Sequence, residues 1–257
     1  MTFRFFYLLI IPALLLIYSC SNATGPEQNS VVKVALYNGA NVWSEDVIAL
    51  NKMFQWMGYE VTTVNTNIIL GNNLSDYDIL CIPGGFPSVF SEDFGPAGMQ
   101  KIRDFVDNGG CYMGFCGGTM LAVNKVIWNG QVDTFETLGL VNADAIGPIT
   151  GFSTPSMQTI SMNTEHPAVS ENPEEDILYV GGPYCRTGGG VETVGTYSNG
   201  KKAIVSAEYG SGKVVLFCVH PEFEEDSDRD GVDTYDTLED AGSDWEMVKA
   251  LAEWAIL

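Results

Sequence analysis

Four short apolar runs, each followed by a glycine-rich or polar junction, constrain the fold of this 257-residue chain more than any other feature. The runs are VVKVALY at 31–37, DILCI at 78–82, CYMGF at 111–115 and KVVLFCV at 213–219, and the junctions are NG, PGG, CGG and HPE. Runs of this length and composition are typical of strands that are buried on both faces. They predict an α/β fold in which helices cover a parallel sheet.

Helical patterns alternate with these strands. Apolar residues recur at helical spacing between 47 and 57, after Ser44, which we expect to cap the helix, and Glu45 and Asp46 suit its first turn. Further strands are expected at 59–64, 177–180, 191–197 and 203–209, and further helices at 96–108, 119–124 and 244–256. The alternation predicts one domain, from about 31 to 257, with a mostly parallel sheet flanked by helices on both faces.

The N-terminal residues are typical of an export signal rather than of the fold. Arg4 precedes an apolar run of about 14 residues, 5–18, which is shorter than a bilayer-spanning helix requires. Cys20 stands where this run ends and a polar stretch begins, which resembles a bacterial lipobox. We therefore expect a signal peptide at 1–19, a lipidated Cys20 with a tether at 20–30, and an exported protein anchored in the cell envelope. The alternatives are an ordinary secretory signal with an incidental cysteine, or an uncleaved anchor.

Charge excludes several classes of function. The chain has 12 basic and 33 acidic residues, a net charge of −21, which argues against nucleic-acid binding and against electrostatic docking on anionic lipid. Its only histidines are His166 and His220, so a zinc site built on several histidines is excluded. The expected partner is a small-molecule or peptide substrate, with membrane contact through the lipid anchor alone. The sequence leaves the oligomeric state open.

The pentapeptide GFCGG at 114–118 places Cys116 between a buried strand and the start of a helix. Glycines permit a sharp turn there, which exposes the thiol at the edge of the sheet. A helix start favours the thiolate, and the following backbone N–H is positioned to bind an oxyanion. Cys116 is therefore a candidate nucleophile; the alternative is a buried cysteine with glycines for packing.

A second motif, His220-Pro221-Glu222, follows another buried strand. Carboxyl ends of parallel strands meet at one edge of a sheet, where ligands of open α/β folds bind. His220 can therefore act as the base for Cys116, and Glu222 can orient its imidazole. A surface histidine in a turn is the alternative.

Together these motifs resemble the class I glutamine amidotransferase-like superfamily, and within it the domain found at the N-terminus of some biotin–protein ligases. The stretches that carry the resemblance are 34–38 (VALYN), 82–85 (IPGG), 109–118 (GGCYMGFCGG), 180–184 (VGGPY) and 209–222 (YGSGKVVLFCVHPE). The resemblance implies a flavodoxin-like fold and a triad of Cys116, His220 and Glu222. It also implies an oxyanion hole made by backbone N–H groups around Gly85 and Gly117.

The sequence departs from the glutamine-hydrolysing members after the cysteine. Those members typically continue with His-Gln, where this chain has Thr119 and Met120. No synthetase or ligase domain follows, so we expect neither a glutamine-dependent synthetase nor a biotin ligase. The favoured interpretation is a cysteine-dependent hydrolase acting on an amide or related acyl bond, with no required cofactor. The alternative is a non-catalytic lipoprotein that retains the fold to bind a ligand.

Residues 224–240 contain nine acidic residues and one basic residue. Asp226, Asp228 and Asp230, followed by Gly231, match the first half of a calcium loop, although Thr237 occupies the closing position. Asp233 can supply a further carboxylate, so these four aspartates are candidate Ca²⁺ ligands whose ion would order one wall of the active site. A solvated acidic loop is the alternative, and a calcium-stabilised scaffold protein is a weaker interpretation of the whole chain. His166 lies in a polar loop and is expected to be structural or exposed rather than to contact substrate.

Overall fold

Each of the four apolar runs forms a strand, and these strands lie in one large sheet. The computed structural model describes Met1 and residues 31–71, 73–169, 173–224, 228–238 and 242–257. In chain order the elements are β1 (Lys33–Tyr37), α1 (Ser44–Trp56), β2 (Glu60–Val64), α2 (Thr66–Leu70), β3 (Ile79–Ile82), α3 (Pro87–Asp107), β4 (Cys111–Phe115), α4 (Gly117–Ala122), β5 (Val123–Trp128), β6 (Gln131–Val132), β7 (Val141–Gly147), β8 (Ser156–Met162), β9 (Glu174–Tyr179), β10 (Tyr184–Thr187), β11 (Val191–Tyr197), β12 (Lys202–Tyr209), β13 (Gly212–Phe217) and α5 (Trp245–Ala255). Single 3₁₀ turns occur at Leu74–Asp76 and Asp228–Asp230.

Five strands form a wholly parallel block in the order β2-β1-β3-β4-β13. The residues of β3 and β4 are buried throughout, which explains why their sequences are continuously apolar rather than alternating. Because β3, β4 and β13 are parallel neighbours, the loops that follow them lie side by side at one edge. These loops contain the PGG, CGG and HPE junctions.

Beyond β13 the sheet continues through β12, β10, β7, β5 and β6, and β11, β8 and β9 branch from β12. In this part of the sheet, adjacent strands are antiparallel, except that β5 and β7 are parallel to each other. Residues Val31–Leu257 form one compact unit. The predicted α/β fold, a mostly parallel sheet with flanking helices, is confirmed.

Helices cover the parallel block through their apolar faces. In α1, Val47, Leu50 and Phe54 are buried, and the helix packs against β1 and β2. The buried face of α5 packs against β13. Among the described residues, no helix combines the length and the apolar character that crossing a bilayer requires.

Several local predictions differ from the structure. Ser44 does not cap α1: Trp43 occupies the N-cap position, and the Ser44 hydroxyl donates to Glu45 instead. The predicted helix 96–108 is the second half of α3, which is bent at Gly95, where φ is 55°. The predicted helix 119–124 ends early because the chain enters β5 at Val123. Cys20 and the signal segment lie outside the described residues.

Candidate active site

Cys116 stands in a strained bend between β4 and α4. Its φ of 45° and ψ of −97° are unusual for a residue with a side chain, and such strain is typical of exposed nucleophiles at strand–helix turns. The Cys116 N–H donates to the carbonyl of Phe217 at 2.8 Å, which fixes the bend against the end of β13. The residue is only 9% exposed.

The two predicted oxyanion glycines lie against each other. A Cβ atom added to Gly117 would lie 2.5 Å from the carbonyl oxygen of Gly85 and 2.8 Å from its nitrogen, so only glycine permits this approach. The Gly118 N–H donates to Pro83 at 3.1 Å and ties the two loops together. Among the described residues, neither the Gly85 N–H nor the Gly117 N–H donates to a backbone carbonyl. Both donors are therefore free of backbone partners next to Cys116.

His220 follows β13 and is fully buried. Its Nδ1 lies 2.7 Å from Oε1 of Glu222, which is the contact that the sequence predicts. The same Nδ1 lies 3.2 Å from Oδ1 of Asp46. One ring nitrogen thus faces two carboxylates, and both of these carboxylates are fully buried.

Asp46 is the site residue that the sequence did not reveal. It lies in the first turn of α1, 174 residues from His220 in the chain. An acidic residue there is typical of an exposed helix start, so its position gave no signal of function. Asp46 Oδ2 also accepts the N–H of Gly84, so this carboxylate contacts both the histidine and the loop that carries Gly85.

The charges of this cluster favour a protonated imidazole. Burial by itself lowers the pKa of His220, but the Glu222 charge and side-chain contacts with Asp46, Cys116 and Glu222 together raise the pKa well above its usual range. Burial and the neighbouring Asp46 charge raise the pKa of Glu222. Burial opposes ionisation of Asp46 as well, but its hydrogen bonds with His220 and Glu222 lower the pKa of that carboxyl.

Two further atoms of the cluster lack hydrogen-bond partners. Oε2 of Glu222 is buried and has none. Nε2 of His220 is likewise buried without a partner that meets hydrogen-bond geometry. Because Nδ1 faces the carboxylates, Nε2 is the ring nitrogen that remains to exchange a proton with Cys116.

Cys116 opens into a cavity of about 370 Å³. Its wall includes Gly85 and Met120 and is otherwise mainly aromatic and aliphatic. Pockets of this size and character are common at small-molecule sites. A larger cavity of about 450 Å³, beside Asp78 and Gly109–Gly110, lies at the opposite ends of β3 and β4 and has no part in this site.

The sequence model of the family described as "Biotin-protein ligase, N terminal" matches residues 32–247. The chain belongs to this family. No curated protein matches the sequence. The matched segment contains every member of the site described above.

Solved structures show the same fold. PurLQS from Thermotoga maritima has a TM-score of 0.64 at 16% identity, covering 88% of this chain and 99% of that one. A glutamine amidotransferase from Thermotoga maritima has a TM-score of 0.57 at 13% identity, covering 88% and 89%. A Thermoplasma acidophilum protein described as a "putative gmp synthase subunit a protein" has a TM-score of 0.55 at 10% identity, covering 87% and 94%. The fold of this family member is thus class I glutamine amidotransferase-like.

The two residues that depart from the glutamine-hydrolysing pattern have different surroundings. The Thr119 hydroxyl is buried and lies 2.9 Å from the carbonyl of Gly114 and 2.7 Å from that of Phe217, so it joins β4 to β13. Met120 lines the cavity instead. Position 120 therefore presents an apolar side chain at the wall next to Cys116.

The calcium prediction remains a prediction. Asp226 lies outside the described residues. Among the residues that are described, the carboxylates of Asp228, Asp230 and Asp233 do not lie close enough together to bind one metal ion. The Asp230 carboxylate accepts the N–H of Glu224 at 3.1 Å and that of Val232 at 3.0 Å. Calorimetry with Ca²⁺ and with chelator tests the prediction directly.

The described residues contain one cluster that could hold a metal ion, formed by Asp46, His220 and Glu222, whose ligand atoms lie within 4.8 Å of one another. Hydrogen bonds already connect these groups and account for the short distances. The cluster therefore needs no ion to explain its geometry.

His166 and the other cysteines lie outside the site. His166 is buried: its Nδ1 accepts the N–H of Ala168 at 3.2 Å, so Nε2 carries the proton and faces Ser206 at 3.1 Å. A histidine in this tautomer cannot take a proton from Ser206. The predicted burial of three cysteines is confirmed, for Cys81, Cys111 and Cys218.

Proposed function

We propose that this protein is an exported, lipid-anchored hydrolase that uses Cys116 to cleave an amide or a related acyl bond. The observation that carries the proposal is the strained Cys116 bend beside a buried histidine whose Nδ1 contacts Glu222 at 2.7 Å. A nucleophile, a base, an orienting carboxylate and free backbone donors are the parts that acyl transfer requires. The class I glutamine amidotransferase-like fold supports the same assignment.

The proton of Cys116 passes to His220 before the first chemical step, in which the Cys116 thiolate attacks the substrate carbonyl. Glu222 and Asp46 stabilise the resulting imidazolium, since both carboxyl groups face Nδ1. The Gly85 and Gly117 N–H groups bind the oxyanion of the tetrahedral intermediate. When the C–N bond breaks, His220 returns the proton to the leaving amine, and a thioester remains on Cys116.

In the second step, water hydrolyses the thioester. His220 removes a proton from the water, and the hydroxide attacks the same carbonyl. Collapse of the second tetrahedral intermediate releases the carboxylic acid and restores the Cys116 thiolate beside the His220 imidazolium. The reaction consumes one water molecule and requires no redox partner.

Alkylation of the purified full-length protein tests the nucleophile. With limiting iodoacetamide at pH 7, Cys116 should react before Cys81, Cys111, Cys185 and Cys218, whose burial makes them internal controls in the same peptide map. His220→Ala should slow the Cys116 reaction on the order of tenfold or more. A Cys116 that is unreactive, or indifferent to His220, would favour the alternative of a non-catalytic ligand-binding lipoprotein.

The cellular location rests on Cys20 and the segment before it. Expressed in a bacterial host with a labelled fatty acid, the wild-type protein should incorporate label and partition into detergent. Cys20→Ser should abolish both properties, whereas Cys185→Ser should leave both intact. Label retained in Cys20→Ser would contradict lipid attachment at this residue.

A further inference from the structure

Aromatic side chains dominate the wall of the cavity beside Cys116. Trp43, Phe86, Trp128 and Phe135 line it together with Met120. Trp43 also lies 5.7 Å from the His220 ring, measured between ring centroids, so the aromatic wall reaches the catalytic cluster. A substituent on the carbonyl that Cys116 attacks would therefore contact aromatic rings.

Two of these side chains are unusually exposed for their type. Phe86 is 64% exposed and Trp43 is 36% exposed. Large apolar side chains that meet around a concave surface are typical of ligand sites, because exposing them to water costs free energy unless a ligand covers them.

The wall of the cavity contains no cationic side chain among the described residues. Asp133 is the charged side chain in this wall. Behind Cys116 the buried carboxyl groups of Asp46 and Glu222 face the His220 imidazolium, so this cluster offers no unpaired cation. A substrate with a free carboxylate near the scissile bond would therefore meet repulsion and find no cationic partner, whereas a cation can face Asp133.

We propose that Cys116 accepts acyl groups that carry a bulky apolar or aromatic substituent, uncharged or cationic, and that it discriminates against acyl groups with a free carboxylate. The proposal rests on the hydrolase function proposed above and names its substrate class. Free glutamine, which is small and carries a carboxylate, lies outside this class.

Four alkylating probes test the proposal without a known substrate. They are iodoacetamide, N-benzyl iodoacetamide, and the benzyl compound with either a 4-aminomethyl or a 4-carboxylate group. In each case the Cys116 sulfur displaces iodide and forms a thioether, with the thiol proton released to the buffer. For each probe, mass spectrometry on the full-length protein gives the second-order rate constant at Cys116. This rate constant is divided by that of the same probe with free cysteine, and the resulting ratios are compared.

The benzyl probe should react about tenfold faster than iodoacetamide, or more, because its ring is buried against the aromatic wall. Phe86→Ala should reduce this ratio severalfold. Leu70→Ala, which removes an apolar side chain of comparable exposure on α2, is the matched control and should leave the ratio unchanged.

The cationic probe should react about two- to fivefold faster than the anionic one, as expected for a partly exposed charge contact. Asp133→Lys should reverse this order. Glu60→Lys makes the same change in net charge at an exposed position in β2, at the opposite end of the parallel block, and should preserve the order.

Equal rates for the benzyl probe and iodoacetamide, or a charge preference that Asp133→Lys leaves unchanged, would overturn the proposed substrate class while leaving the hydrolase function standing. A Cys116 that reacts with none of the four probes would overturn the hydrolase function, and the substrate class with it.

Discussion

The carboxylate of Asp46 accepts the N–H of Gly84 and, through its other oxygen, faces Nδ1 of His220 at 3.2 Å. One buried side chain thus connects the proposed base to the loop that carries Gly85, a proposed oxyanion donor. Displacement of α1 would disturb both at once. Asp46 is therefore a positioning residue, and its effect on the histidine can be measured.

Asp46→Asn should slow alkylation of Cys116 at pH 7 on the order of tenfold or more and shift its pH profile to higher pH. The neutral amide no longer stabilises the His220 imidazolium, which in turn favours the Cys116 thiolate. Alkylation rates between pH 5 and 9, followed by peptide mapping, provide the measurement.

Glu45→Gln is the matched control, because it neutralises the neighbouring carboxylate in the same helical turn without touching His220. It should leave the pH profile in place. If Asp46→Asn reduced stability but retained the wild-type pH profile, Asp46 would have only a structural role.

The free energy of unfolding should decrease as pH rises above about 6.5. His220 has a folded-state pKa above its unfolded value, so its stabilising contribution is complete below the unfolded pKa and is lost as pH rises through the folded one. Glu222, whose pKa is also raised, contributes in the same direction from about pH 4.5 upward. Urea unfolding at closely spaced pH values measures the slope.

His220→Gln should flatten this dependence between about pH 6.5 and 8, a range chosen because buried cysteines contribute mainly at higher pH. Burial lowers the pKa of His166, so this residue changes the stability only at pH values below about 6.5. It therefore does not interfere between about pH 6.5 and 8. A slope that is the same in wild type and His220→Gln would exclude a raised His220 pKa.

Thr119→Val should destabilise the protein by about 1–3 kcal/mol. Valine has nearly the same shape but cannot donate to the carbonyls of Gly114 and Phe217, and the burial of this position excludes water. Thr119→Ser retains the hydroxyl and should recover most of the loss. Chemical unfolding of the three proteins compares them, and equal stability of the valine variant and wild type would contradict a linking role for this hydroxyl.

The sequence reveals much of the site because its motifs are local. Cys116 and His220 each directly follow a buried strand, and apolar runs flanked by glycine or proline identify such strands without knowledge of the fold. Asp46 gave no such signal. Its role depends on where α1 packs, since its partner His220 lies 174 residues away, and an acid in the first turn of a helix has an ordinary explanation.

The antiparallel half of the sheet was predicted less completely for a related reason. Strands β5, β7 and β8 mix buried residues with partly or fully exposed ones, and β6 has only two residues, so their sequences lack the continuous apolar runs of β3 and β4. The early end of α4 is another example, because only pairing of β5 with β7 determines that Val123 is extended. Tertiary contacts decide such segments, and local propensity does not.

Gly117→Ala should abolish substrate turnover and slow Cys116 acylation more strongly than any substitution in the cavity wall. The added methyl group would lie 2.5 Å from the Gly85 oxygen, which is backbone and cannot rotate away, so the two oxyanion donors would be forced apart. Gly189→Ala is the matched control, because a Cβ there meets no atom within 4 Å. Acylation by an activated ester, read by intact mass, measures the effect, and circular dichroism establishes that both variants are folded. A folded Gly117→Ala protein that acylates at the wild-type rate would remove this N–H pair from the mechanism.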